Sequence, residues 1–162
     1  MNRNAESVSI RDIMTTRVVT VLPNTPVLEV ARMLGEHKFD GLPVVDVDNR
    51  LVGIINEYDL LSKGSAIHLP TLNMVLKNLS RIDKDNDRYG DGFRKIFDLK
   101  AEDVMNDDPL TLDETATFED AVVLFTEHHR VNPVPVIDRD RRILGIVSRY
   151  DILKVFRILS AN

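Results

Sequence analysis

No cysteine occurs anywhere in this 162-residue chain, which removes disulfides and thiolate chemistry and is compatible with a reducing compartment. Long apolar runs are missing too. No window approaches the roughly 18 consecutive apolar residues of a membrane span, and the opening Met-Asn-Arg-Asn-Ala-Glu-Ser lacks the apolar core of a signal peptide. The expectation is therefore a cytoplasmic protein without membrane contact. Positive charge is not in excess either. With 21 Lys and Arg against 26 Asp and Glu the net charge is −5, so a sequence-independent grip on a phosphate backbone is not expected.

What the chain does have is an internal repeat. Ile143 to Phe156 restates Leu51 to Lys63, with Gly, Tyr and Asp at fixed offsets: Gly53, Tyr58 and Asp59 answer Gly145, Tyr150 and Asp151. In both copies a short β-branched run reads as a buried strand, a polar residue (Asn56 or Ser148) interrupts it, and apolar residues at helical spacing follow. The same arrival precedes each: Leu42-Pro43-Val44-Val45-Asp46 and Val134-Pro135-Val136-Ile137-Asp138, then a polar turn. At 43% hydrophobic the chain can bury one good core, and the repeat makes it one module of two halves.

Reading each half from its start gives a common order. Short lead-in turns, Ser9 to Met14 and Lys100 to Met105, are followed by brief strands at Val18–Val21 and Leu110–Leu112. Next comes an amphipathic helix. In the first half Thr25 is the expected N-cap with Pro26 at the first helical position, and Val27, Val30, Ala31 and Leu34 form the apolar face. In the second half the face is Phe118, Ala121, Val122 and Phe125, with Thr117 and Asp120 spaced as a capping box. The helix faces align at an offset of 91 residues, whereas Pro43 with Pro135 and Gly53 with Gly145 align at 92, which puts one extra residue in the second loop after the helix. Each half reads strand, helix, strand, strand, helix, an α+β sandwich. The expected divisions are 8–63, 64–98 and 99–157. The middle one is too long for a simple connection, and reads as an inserted amphipathic helix with Leu72, Val75, Leu76 and Leu79 on its apolar face, then a polar tip. That face packs either on its own module or on another chain.

Few residues invite catalysis or metal binding. The acidic tip Asp83 to Asp91 has the look of a calcium loop, but Arg88 stands where glycine is required and Arg94 where the bidentate glutamate belongs. His37 and His128 or His129 fall near helix ends and read as polar caps rather than ligands. No Ser, His and acid set and no Gly-rich phosphate loop stands in a strand-to-helix context, so no enzyme is expected. Ser148 with Asp151, and Asn56 with Asp59, have the spacing of capping boxes and so have a purely structural use. They have a functional use as well. A helix N-terminus offers free N–H groups and a favourable dipole to an anion, and a nearby carboxylate can accept both hydroxyls of a ribose.

Asp12-Ile13-Met14, Thr20, Leu-Pro-Val-Val-Asp and Gly-hydrophobic-x-Ser-x-x-Asp, repeated in order and spacing, resemble a tandem pair of CBS domains over about residues 8–63 and 99–157. The resemblance implies two repeats related by pseudo-two-fold symmetry, with clefts that in many members take AMP, ADP, ATP or S-adenosylmethionine. It also implies a regulatory module, commonly a homodimer, that reports to a protein partner. Carried over onto this chain, the ribose-binding acid falls on Asp151 and its hydroxyl partner on Ser148, with Arg149 between them. The base contacts fall on Thr25, Val30, Phe39, Asp40 and Gly41. In the second, weaker cleft the acid is Asp59 beside Asn56, facing Val131, Asn132 and Pro133. There the pattern is broken: Asn56 replaces Ser or Thr, and Pro133 has no N–H to offer a base. Asp40 is unexpected beside a phosphate. No metal is assigned. The competing expectation is a protein-interaction module whose clefts stay empty and whose Leu72 to Leu79 face binds a partner.

Overall fold

The computed structural model describes residues 8–62 and 97–159. The inserted helix and polar tip expected within 64–98 therefore lie outside the described residues, apart from the last two. The described chain is α+β and built of two repeats. The first contains α1 (Ile10–Ile13), α2 (Val27–His37), β1 (Gly41–Val45), β2 (Leu51–Asn56) and α3 (Glu57–Ser62). The second contains α4 (Ala101–Val104), β3 (Leu112–Asp113), α5 (Phe118–Glu127), β4 (Val134–Ile137), β5 (Ile143–Val147) and α6 (Arg149–Leu159).

By compactness the chain falls into two units that do not follow the repeat boundaries. One comprises Met1–Val19, Val47–Leu51 and Asp108–Asn162; the other comprises Thr20–Asp46 and Val52–Asp107. The lead-in helix of each repeat thus belongs to the body of the other. In the first unit the sheet runs β3-β4-β5, with β3 parallel and β5 antiparallel to β4, in the register Leu112 to Val136 and Val134 to Val147. Its core collects Leu112, Phe118, Ala121, Phe125, Val134, Val136, Val147 and Ile152, and the missing wall is supplied by Ile10 of α1, which is wholly buried. The Thr15 N–H donates to the Ile146 carbonyl and the Ile146 N–H returns the bond, both at 2.9 Å, which stitches the lead-in to β5. In the second unit the core is Val27, Val30, Ala31, Leu34, Leu42, Val44, Ile55 and Leu60, closed by Ala101 and Val104 of α4. Asn106 and Ile54 exchange the equivalent pair of backbone bonds at 2.8 and 2.9 Å.

The glycines shared by the repeats now have a reason. A Cβ on Gly145 would sit 2.5 Å from the Met14 sulfur, and one on Gly53 would sit 2.5 Å from the Met105 sulfur. Each methionine of the Asp-x-Met lead-in lies over the strand glycine of the other repeat, and only a residue without a side chain leaves room for it.

Two local expectations are corrected. The strand expected at Val18–Val21 is reduced to Val21, which bridges Val44 in parallel: the Val21 N–H donates to the Pro43 carbonyl and the Val45 N–H to that of Val21. Val19 and Leu22 are exposed, so the run does not have the two-sided burial that a longer strand would reward. In the second repeat Leu110 and Thr111 likewise lie outside β3. Thr25 is not the N-cap of α2. Pro26 holds that position, and Thr25 Oγ1 accepts instead from the Leu22 N–H at 3.1 Å, closing the preceding turn. Thr117 behaves as expected, since Asp120 accepts its N–H and its hydroxyl accepts from the Asp120 N–H. His37 ends α2 and His128 is the C-cap of α5.

Candidate functional site

Five helices begin alike. An aspartate at the third helical position reaches back to the N–H of the residue before the helix: Asp12 to Ser9, Asp59 to Asn56, Asp103 to Lys100, Asp120 to Thr117 and Asp151 to Ser148. Such a bond satisfies one orphan donor and places a negative charge against the positive end of the helix dipole. Helix α2 is the exception for a simple reason: Pro26 has no N–H to donate.

Burial separates the five. Asp12, Asp103 and Asp120 are exposed, as caps usually are. Asp59 and Asp151 are 7% and 5% exposed and are the two buried charged residues among those described. Capping does not require this, and taking a carboxylate out of water is costly. These two acids lie in the repeated strand, polar residue, helix unit that the sequence singles out.

At Asp151 the geometry is dense. Oδ2 accepts from the Ser148 N–H at 2.9 Å and from the Ser148 hydroxyl at 2.8 Å. Oδ1 lies 3.0 Å from Lys154 Nζ, one turn further along α6. Lys154 is half exposed and also lies over the Tyr150 ring, 4.8 Å from its centroid, so it can swing away at little cost and free Oδ1 for hydroxyl donors. The Arg149 N–H donates to Asn132 Oδ1 at 2.9 Å, so the first orphan donor of α6 is already satisfied from the loop before β4. Asn132, expected in the second cleft, thereby touches a residue expected in the first. The Arg149 guanidinium turns away from Asp151, donating to the His128 carbonyl at 3.0 Å and lying over the Phe125 ring.

At Asp59 the unit is repeated with an amide. Asn56 Oδ1 accepts from the Asp59 N–H at 2.8 Å, while Asp59 Oδ2 accepts from the Asn56 N–H at 3.0 Å. With its oxygen engaged, Asn56 has only its amine left to donate. The Ser148 hydroxyl is engaged as well, donating to Asp151 Oδ2 at 2.8 Å and accepting from the Asp151 N–H at a longer 3.4 Å, but it is smaller than the amide and can rotate to a ligand.

The remaining candidates are placed as follows. Val30 is fully buried in the core under α2. Thr25 and Phe39 are half buried, Asp40 is exposed, and Gly41 is buried at the start of β1. The Phe39 ring stacks on His37 with centroids 5.1 Å apart. Val131 packs on the core of its own unit, and Pro133 is buried after a cis Asn132–Pro133 peptide. Sequence reasoning missed the roles of Lys154 and Asn132. The first was legible as a cation at helical spacing from Asp151. The second, 17 residues away across a loop, left no local signal. Among the described residues no three His, Asp or Glu side chains gather as metal ligands, and no helix is long and apolar enough to cross a membrane.

The fold and the repeated helix starts are matched in known proteins. The CBS domain profile fits residues 10–65 and 101–158, and the chain belongs to the CBS domain family as a tandem pair. It is similar to the uncharacterized protein MJ1426 of Methanocaldococcus jannaschii, at 29% identity with 95% of this chain and 94% of that protein covered. It is also similar to CBSX2, a chloroplastic CBS domain-containing protein of Arabidopsis thaliana, at 29% identity over 90% of this chain but only 62% of CBSX2. The solved structure of CBSX2 in complex with AMP superposes with a TM-score of 0.70 at 28% identity, covering 95% of this chain and 99% of that one. The CBS domain pair of protein MJ0100, solved with 5-methylthioadenosine and S-adenosyl-L-methionine, gives a TM-score of 0.64 at 25% identity, covering 92% and 99%.

Proposed function

We propose that this CBS pair is a regulatory sensor that binds an adenine nucleotide or related adenosyl ligand and passes its state to a protein partner without catalysis. The observation that carries the reading is the burial of Asp151 and Asp59 alone among five equivalent capping acids. A carboxylate held away from water, with one oxygen committed to the helix cap and the other against a displaceable lysine, suits the two hydroxyls of a ribose. That relatives of this fold were solved with AMP, or with 5-methylthioadenosine and S-adenosyl-L-methionine, supports the same class of ligand here. Ser148, Arg149 and Asp151 bring the helix start. The family resemblance assigns the base contacts to Thr25, Val30, Phe39, Asp40 and Gly41. The mirror set, Asn56 and Asp59 with Val131, Asn132 and Pro133, is the weaker site, because the Asn56 oxygen is spent on its helix and Pro133 has no N–H. One lost hydrogen bond of about 1 kcal/mol, with crowding by the amide, separates the sites by roughly tenfold. The working form is a cytoplasmic homodimer.

Isothermal titration with AMP, ADP, ATP and S-adenosylmethionine tests this. One of them should saturate near one per chain before a weaker second event, and Asp151→Ala should weaken the first by about 1.5 to 3 kcal/mol. Thermal shift gives a parallel readout, since a ligand at 100 times its dissociation constant adds about 2.7 kcal/mol. Silence across the panel in both assays would favour the interaction module, in which the acids serve the helix caps alone.

A further inference from the structure

Away from the acids, α5 and α6 of the first unit enclose a groove of about 360 Å³. Its walls are Val122 and Phe125 on one helix and Ile152 and Leu153 on the other, with Arg149 and His129 at the polar end. Positions 122, 125 and 126 lie on one face of α5 and 149, 152 and 153 on one face of α6, with His129 just beyond the end of α5, so the groove follows from two helical stripes set side by side. The volume falls within the ~300–1,000 Å³ typical of small-molecule pockets. The Thr126 hydroxyl at the edge donates to the Val122 carbonyl at 2.7 Å and contributes no free proton.

Arg149 gives the groove its chemistry. In a chain where acids outnumber bases 26 to 21, no carboxylate among the described residues pairs with this guanidinium. It is nonetheless held: Nη2 donates to the His128 carbonyl at 3.0 Å, and the guanidinium carbon lies 5.1 Å from the Phe125 ring centroid. A guanidinium has five N–H donors in a planar fork, so one bond to a carbonyl leaves most of them for a second acceptor. The planar partner that matches the fork is a carboxylate. No acid lines the groove, so it lacks the carboxylate that suits the paired hydroxyls of a ribose.

We propose that this groove binds a small monocarboxylate with an aromatic or branched apolar body, its carboxylate on the Arg149 fork and its body between Val122, Phe125, Ile152 and Leu153. The groove shares Arg149 with the nucleotide reading but uses another part of it: there its backbone begins α6 beside Ser148 and Asp151, whereas here its guanidinium, against the His128 carbonyl and the Phe125 ring, is the binding group. Phenylacetate is a suitable probe and phenylacetamide its neutral counterpart. In an amide-resolved NMR titration of the full chain, phenylacetate should shift resonances of residues 122–129 and 149–153, and phenylacetamide should bind at least about tenfold more weakly. Arg149→Leu should lose the preference for the acid. Because Arg149 also braces the end of α5, a second variant guards against misfolding: Leu153→Asp, at a position 59% exposed, sets a carboxylate at the groove and should abolish phenylacetate binding with the spectrum otherwise retained. Equal affinity for acid and amide, shifts elsewhere, or undiminished binding in Leu153→Asp would each overturn the proposal. So would competition between phenylacetate and AMP, or loss of phenylacetate binding in step with self-association, which would give the groove to a second copy. A chain that takes phenylacetate but no adenosine ligand would refute the nucleotide reading and leave this one standing.

Discussion

Gly145→Ala adds one methyl group at the point where the N-terminal lead-in lies on β5, and its cost can be worked out from the neighbours. The new Cβ would meet the Met14 sulfur at 2.5 Å, the Met14 Cγ at 2.8 Å and the Thr15 carbonyl at 3.1 Å. The thioether can rotate away, because methionine is flexible. The carbonyl has less freedom, being bonded to the Ile146 N–H at 2.9 Å. Overpacking of this kind costs about 1–3 kcal/mol, and the lower half of that range is expected here. Gly53→Ala is the internal control. Its Cβ would lie 2.9 Å from the Asn106 carbonyl, which is equally tied down by the Ile54 N–H, so backbone must move and the cost should reach the upper half. Urea unfolding followed by circular dichroism would rank the two. Adding Met14→Ala to Gly145→Ala removes the clashing side chain, so the second substitution should cost less in that background than in the parent, with a coupling of about 0.5–2 kcal/mol. Strict additivity, or a greater cost at Gly145 than at Gly53, would refute the account of the methionines and glycines.

The remaining predictions follow from the same geometry. Ile10→Ala should destabilise the chain by about 2–5 kcal/mol in urea unfolding, as for any fully buried aliphatic, because Ile10 completes a core otherwise built from residues more than 100 positions away; a cost near zero would remove α1 from that core. Asp120 is held below its usual range first by the Thr117 N–H and then by the Thr117 hydroxyl, and Asp113 first by the Thr115 hydroxyl and then by the Thr115 N–H. Both carboxylates therefore contribute stability that is present above about pH 4 and lost as pH falls through their lowered folded values, and Thr115→Ala with Thr117→Val should flatten the acid limb of a stability profile. Ser148→Asn should weaken the first nucleotide event toward the second, and Asn56→Ser should strengthen the second, both read by titration calorimetry. Unchanged affinities in folded variants would sink the proposed inequality of the sites.

The local devices of this protein were legible in its sequence because each depends on residues a few positions apart. The repeat, the apolar faces at Val27 to Leu34 and Phe118 to Phe125, and the capping pairs Thr117 with Asp120 and Ser148 with Asp151 rest on spacings of three and four, the period of the helix itself. The motif also picked out the two acids that prove to be buried. It could not show that they are buried while Asp12, Asp103 and Asp120 are not, since all five have the same local pattern and burial is set by what packs over them. Thr25 was misread because a proline following a threonine suits either of two starts, and the bond to Leu22 that decides between them is a matter of turn geometry. The exchange of lead-ins was beyond any local reading. Met14 and Gly145 are far apart in sequence, as are Ile10 and Phe118, and nothing near Met14 says which of two similar strand glycines it will cover. That choice is made where chain connectivity and the filling of two cores are satisfied together, which only the tertiary structure decides.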